Sequence, residues 1–342
     1  GHFISAYALG VCFGAPLLIA FRKQPPKQIL LILVGLMVIG NGFAAISPNY
    51  LTMLGARFIS GLPHGAYFGV ASIVASKLAD KGRESEAVAI MIAGMTIANL
   101  VGVPAGTFLS SLFTWRIVFI IVVTFALLTL YSISKFVPYV APLPDTGFKG
   151  QFQFLKDKAP WLILGATTLG NGGVFAWYSY INPLLINVSG FNPRSITLLM
   201  VLAGAGMVLG NLCGGRLSSY FFPGRVASTL QIFMTLALVG IFFLASNPIV
   251  SVILMCVVTF GLFGVSSPQQ YLIIKYAPGG EMLGAAGIQI AFNLGNAVGA
   301  YLGGLPIHGG IGEQYSALIG AGLTFCGFLM FHYFNRNYSK EK

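Results

Sequence analysis

Arg57 and His64 are the residues of this sequence best placed to handle a proton. Arg57 interrupts an otherwise uncharged run, and His64 follows two helical turns later on the same helix face. A charged side chain inside an apolar span costs about 2.5–3.5 kcal/mol on insertion scales, and such residues face a cavity or pair internally. Imidazole changes charge near neutral pH, so His64 could bind or relay a proton. Two plainer readings stand beside this one. Arg57 lies about 6 residues, or ~9 Å at 1.5 Å per residue, from the near end of its run and could snorkel to the interface. His64 could be a neutral ring hydrogen-bonded between helices, with Pro63 kinking the chain beside it.

A second group of residues could bind a small polar molecule. Asn171, Trp177 and Tyr178 fall within the run 159–187, Gln269 and Gln270 follow Pro268, and Gln289, Asn293 and Asn296 lie in the run 282–305. Aromatic faces beside amide hydrogen-bonding groups suit a hydroxyl-bearing ligand. Hydrogen bonding between helices would satisfy the same amides, each of which is costly facing lipid. Tyr180 and Asn182 come late enough in their run to serve as interfacial anchors. Asp80, Glu84, Glu86, Asp145, Asp157, Glu281, Glu313 and Glu341 all lie in loops or at the ends of runs. Catalytic dyads and carboxylate metal sites are therefore disfavoured. Cys12, Cys213, Cys256 and Cys326 are scattered through apolar runs without Cys-x-x-Cys spacing and read as small buried hydrophobes, neither disulfide framework nor metal site.

The elements that must position these groups follow from composition. Of 342 residues, 56% are hydrophobic and only 8% charged. A soluble domain carries about 25% charged residues, so the chain is read as a polytopic membrane protein, all α, and not as a nucleic-acid binder. Eleven spans are expected, near 1–21, 28–47, 51–77, 87–112, 117–135, 159–187, 195–218, 226–245, 249–274, 282–305 and 315–335. Sixteen Lys and Arg fall in loops on one side, including Arg22, Lys81, Lys149, Arg225 and Arg336; Arg116 and Arg194 fall on the other. The positive-inside rule makes the first side, with the C-terminus, cytoplasmic, and eleven spans then put the N-terminus outside. The net charge of +11 needs no acidic partner.

An internal repeat is also legible. Asn99-Leu100-Val101-Gly102 is echoed 197 residues later by Asn296-Ala297-Val298-Gly299. Two parallel halves follow: a bundle over 1–137, a cytoplasmic linker over 138–157 and a six-helix bundle over 158–342. The repeat leaves the run 159–187 without a counterpart in the first half. Together with the absence of an initiator Met, this predicts twelve helices in the intact protein, of which the first would precede residue 1. Gly94, Gly102, Pro104 and Gly106, with Gly299, Gly303 and Gly304, are expected to form a seam of small residues between the halves.

With these features the sequence resembles the major facilitator superfamily. Arg57-Phe58-Ile59-Ser60-Gly61-Leu62-Pro63-His64-Gly65-Ala66 is similar to the family's fourth-helix pattern, with Ser60 where Gln is usual. Gly94, Gly102, Pro104 and Gly106 resemble the fifth-helix antiporter motif, although Val103 splits its Gly-Pro pair. The loop after the first run shows Arg22-Lys23 but lacks the Asp of Gly-x-Leu-Ala-Asp-Arg. The strings GAPLLIAF, GMTIANLVGVPAGTFL and GGEMLGAAGIQIAFNLGNAVGAYLGG look like bacterial arabinose-efflux permeases of the drug:proton antiporter group. The resemblance implies two pseudo-symmetric bundles and proton-driven export of sugars or related small solutes, with no cofactor beyond the proton gradient. It also implies a monomer in the bacterial inner membrane and an acidic proton site on the helix that would precede residue 1. A multidrug exporter of the same fold, and a chain that does not transport at all, are the competing expectations; an enzyme is not expected.

Overall fold

The computed structural model describes residues 2–339 and is built of helices joined by short turns. Uncharged runs of this length have one good solution in lipid, because only a helix or a closed barrel satisfies every backbone group internally. In chain order the helices are α1 (His2–Ala20), α2 (Pro26–Ile46), α3 (Tyr50–Leu78), α4 (Glu84–Ile97), α5 (Val103–Leu112) and α6 (Arg116–Phe136). A short linker turn, α7 (Gly147–Gly150), precedes α8 (Lys158–Tyr178), α9 (Ile181–Pro183), α10 (Ile196–Tyr220) and α11 (Pro223–Leu244). The chain ends with α12 (Pro248–Gly264), α13 (Ser266–Lys275), α14 (Glu281–His308) and α15 (Tyr315–Tyr338). Among the described residues, eight helical segments are long and apolar enough to cross a membrane.

Local chemistry sets where the helices start and break. Pro26, Pro223 and Pro248 open α2, α11 and α12 at positions where a missing N–H costs nothing. The Asn247 side chain caps α12 by accepting from the N–H groups of Ile249 and Val250 at 3.1 and 3.2 Å. Two expected spans carry irregular turns. A π-helical turn at Ala98–Gly102 separates α4 from α5, just before Pro104. The run 159–187 breaks after Tyr178 and resumes as α9 and a π turn at Leu184–Val188, around Pro183. In the run 249–274 the helix carries on through Val265, whose N–H donates to the Gly261 carbonyl and whose carbonyl accepts from the Gln269 N–H, both at 3.1 Å, so α12 and α13 form one span, Pro248–Lys275. By contrast, α3 continues through Pro63.

The contacts group the chain into two compact units. The first comprises Gly1–Leu78, Val101–Asp157 and Ile274–Ile290; the second comprises Ala79–Leu100, Lys158–Ile273 and Ala291–Lys342. In the first, α3 is the hub, packed by α1 and α2, and α2 packs on α6. In the second, α15 packs on α8 and α11, while α10 packs on α12 and α4. Its core is a cluster of buried side chains that includes Val174, Trp177, Leu238 and Met255. The cysteines correct their expectation: Cys12, Cys213 and Cys326 are exposed and Cys256 half-buried, because on a bundle without a water-facing apolar penalty small hydrophobes also cover the outer surface.

Candidate functional site

The chemistry-bearing cluster of the first unit is assembled by close approach of α1 and α3. A Cβ on Gly10 would lie 3.0 Å from the Gly61 Cα and strike the Phe58 carbonyl oxygen, and one on Gly61 would strike the Tyr7 carbonyl oxygen. Only hydrogen fits in either place, so the two backbones meet, as small residues permit between membrane helices. This approach brings the Tyr7 hydroxyl within 2.9 Å of His64 Nδ1. The Arg57 guanidinium lies 4.4 Å from the centre of the Tyr7 ring and 5.8 Å from that of Phe119 on α6. Among the described residues Arg57 has no carboxylate partner; two aromatic faces hold it instead. Phe68 packs against His64 from one turn further along α3, at 5.2 Å between ring centres.

Gln289 belongs to this unit as well. Its Cβ lies 3.5 Å from where a Cβ on Gly65 would stand, next to His64 in sequence. Tyr7 was not among the sequence candidates. Its signal was the stripe Tyr7, Gly10 and Gly14, which spaces a phenol and two glycines along one helix face.

The remaining amides lie in the second unit. The Asn171 side-chain amide donates to the Phe292 carbonyl at 3.1 Å and to the Asn296 side-chain oxygen. These two asparagines thus tie α8 to α14. Gln269 and Gln270 are buried on α13, Asn293 is half-buried on α14, and Tyr178 is half-buried beside Phe175. Trp177 is part of the apolar core of the second unit. Its ring is 1% exposed and sits in the apolar core among residues of α10 and α11, because its position on α8 points inward, away from the amide face. Tyr180 is not a free interfacial anchor, since its hydroxyl donates to the Ala300 carbonyl at 2.9 Å. The Nε1 of Trp177, Oγ of Ser267 and Oε1 of Gln269 are buried without a hydrogen-bond partner among the described residues.

The Asn171–Asn296 tie carries a stability prediction. Asn171→Leu should lower stability by about 1–3 kcal/mol, the usual cost of orphaning a buried polar partner. Asn171→Leu combined with Asn296→Leu should recover part of that loss. Thermal unfolding of the purified protein reads both, and an unchanged midpoint for the single variant would contradict the tie.

The small residues fall into two groups. Cβ atoms on Gly299 and Gly303 would strike the carbonyls of Gly172 and Ala176, so these two lie against α8, and one on Gly304 would strike the hydroxyl of Tyr180, just beyond it. Gly94 has nothing within 4 Å of where its Cβ would be, and Gly106 meets only the Val118 methyls at 3.8 Å. Gly102 and Pro104 are exposed. The close packing on α4 comes from α10 instead: Asn211 donates to the Ala89 carbonyl at 2.7 Å, and Gly215 leaves no room for a methyl group against Ala89.

The linker is clasped to two loops of the first unit. Asp145 Oδ1 accepts from Arg22 Nε at 2.9 Å and from the Gly147 N–H at 3.0 Å. The Gly147 hydrogen bond, then the Arg22 guanidinium, hold the Asp145 carboxyl below the usual aspartate range. The Thr146 hydroxyl and the Gln151 amide both donate to the Gly279 carbonyl, at 2.7 and 2.9 Å. Gly279 adopts φ +75°, a left-handed turn that suits glycine and turns its carbonyl to the linker.

Comparison with known proteins places this arrangement. The chain is 46% identical over 326 residues to AraJ of Escherichia coli K12, a protein named as a transporter, covering 95% of this chain and 83% of AraJ. It is 34% identical to the inner membrane transport protein YdhP of E. coli K12, covering 94% of this chain and 82% of YdhP. A Helicobacter acinonychis protein named for sugar efflux is 26% identical, with 98% and 85% of the two chains covered. In fold the chain resembles the crystal structure of the E. coli fucose:proton symporter FucP, with a TM-score of 0.83 at 17% identity over 98% of this chain and 90% of FucP. Residues 1–288 match the Major Facilitator Superfamily pattern. The Arg57 helix, the glycine-tight α1–α3 contact and the linker-joined helices are therefore those of a multi-pass membrane transporter, and the chain belongs to the Major Facilitator Superfamily.

Proposed function

We propose that the protein exports a sugar or related small solute in exchange for protons, by alternating access. The observation that carries this reading is the Tyr7–His64–Arg57 cluster, a titratable imidazole hydrogen-bonded to a phenol beside a fixed cation inside an apolar bundle. An ionisable group in a membrane interior is by default a functional one. The buried hydrogen-bonding atoms of Ser267 and Gln269 suit a ligand rich in hydroxyls. The relatives named for sugar efflux and fucose:proton symport support the same substrate class. The proton gradient is the sole energy source in this reading, no cofactor takes part, and the working unit is a monomer.

The test is counter-flow in proteoliposomes. An imposed pH gradient should drive labelled pentoses against their concentration gradient, and a protonophore should abolish it. Movement of drugs but of none of the sugars would overturn the substrate assignment; pentose flux indifferent to the protonophore would overturn proton coupling.

The proposed setting is the bacterial inner membrane, with eleven spans in this chain, bundles over 1–137 and 158–342 and the linker 138–157 on the cytoplasmic side. The sixteen-to-two division of Lys and Arg between the two faces supports this orientation. A single cysteine at Lys149 should be shielded from impermeant reagent in intact cells while one at Arg194 reacts. The background must lack the native thiols, since three of them are exposed. Labelling of the Lys149 position from outside would reverse the orientation.

A further inference from the structure

A cavity of about 610 Å³ opens between the start of α11 and the end of α15, both in the second unit. Arg225 and Thr229 line it from α11, and His332 and Arg336 from α15. The Asn335 amide forms its brace, donating to the Gly224 carbonyl at 2.9 Å and to the Ser228 hydroxyl at 3.1 Å. Among the described residues no carboxylate lines the cavity, and neither arginine side chain has an ion-pair partner. Two arginines on one cavity, with no acid beside them among the described residues, make a positive site that suits a phosphate.

The helix faces beyond the cavity decide what carries that phosphate. On α15, Arg336 and His332 continue at helical spacing into Leu329 and Phe325, which are exposed. On α11, Arg225 and Thr229 continue into the exposed Phe233 and Leu236. The basic end therefore runs straight into an apolar stripe on each of two adjacent, packed helices. A soluble anion would use only the first part of this surface. A phospholipid would use both, its phosphate between the arginines and its acyl chains along the stripes.

We propose that this groove is a binding site for an anionic phospholipid of phosphatidylglycerol type, whose headgroup carries net negative charge. A zwitterionic lipid brings its own ammonium into the same basic cavity and gains less. The site is separate from the Tyr7–His64–Arg57 cluster, and its occupancy does not depend on the transported solute.

Native mass spectrometry of the detergent-purified protein tests it, with phosphatidylglycerol, phosphatidylethanolamine and inorganic phosphate as probes. Phosphatidylglycerol should be retained in preference to phosphatidylethanolamine. Arg225→Gln with Arg336→Gln should weaken its binding roughly 30-fold, the effect of two surface cations on an anionic lipid. Arg225→Lys with Arg336→Lys should retain most of it, which separates lost charge from lost fold. Lys77→Gln with Lys81→Gln, at the end of α3 and in the turn after it, should leave it unchanged. Equal retention of the two lipids, equal weakening by the Lys77 and Lys81 pair, or displacement of the lipid by stoichiometric inorganic phosphate would each overturn the proposal.

Discussion

Leucine at Gly61 should lower the stability of the protein by ~3 kcal/mol, the upper part of the range for overpacking. The side chain would have to enter the space occupied by the Tyr7 backbone carbonyl, with the Gly10 Cα 3.2 Å away. Neither obstacle is a flexible side-chain end that could rotate aside, so α1 and α3 must separate. Separation also withdraws the Tyr7 hydroxyl from His64 and the Tyr7 ring from Arg57. A control lies on the same helix: Gly55 has nothing within 4 Å of its Cβ position. Gly55→Leu should be neutral or stabilising by up to about 0.8 kcal/mol, the propensity gained by replacing glycine within a helix. Thermal unfolding of the two variants in one detergent decides the matter. Equal midpoints would show that α1 and α3 are not in contact.

The same pair of glycines marks the limit of reading the sequence alone. Helix positions were legible because charge-free runs and basic loops obey a one-dimensional rule: all eleven expected runs are helical over most of their length. The break after Tyr178 was not, since a transmembrane run with one Pro reads the same whether straight or interrupted. Packing was less accessible still. Gly94, Gly106, Gly299 and Gly303 are chemically alike, yet the first two face open space or a pair of methyls and the last two lie on the backbone of α8. A glycine tells that a close approach is possible, and its partner helix decides whether one occurs. Asn171 and Asn296 were legible as polar groups needing partners, but not as each other's partner across 125 residues. Tyr7 was overlooked because a phenol in an apolar run looks like any aromatic until a histidine on another helix reaches its hydroxyl.

That hydroxyl also separates the roles within the cluster, which leads to the largest functional effect. Arg57→Gln removes the permanent charge from above the Tyr7 ring, and proton-driven counter-flow should fall at least about tenfold, the equivalent of ~1.4 kcal/mol. A desolvated cation–π contact is worth up to about 2 kcal/mol, enough for such a loss if the guanidinium organises the cluster during the cycle. Arg57→Lys keeps the charge but not the flat guanidinium that covers the ring 4.4 Å below, so it should recover only part of the flux. Tyr7→Phe keeps the ring under Arg57 and deletes the 2.9 Å hydrogen bond to His64. If the proton is handled at His64, this variant and His64→Gln should lose proton-driven flux while solute exchange at equal pH continues. Thermal midpoints near the wild type would confirm that the losses are functional, because Arg57 and His64 are only partly buried and no ion pair is broken. Full proton-driven flux in Arg57→Gln would remove the cluster from the mechanism. Equal loss of driven flux and equilibrium exchange in Tyr7→Phe would reduce its hydroxyl to a packing role, since a coupling group must affect the driven process more than the passive one.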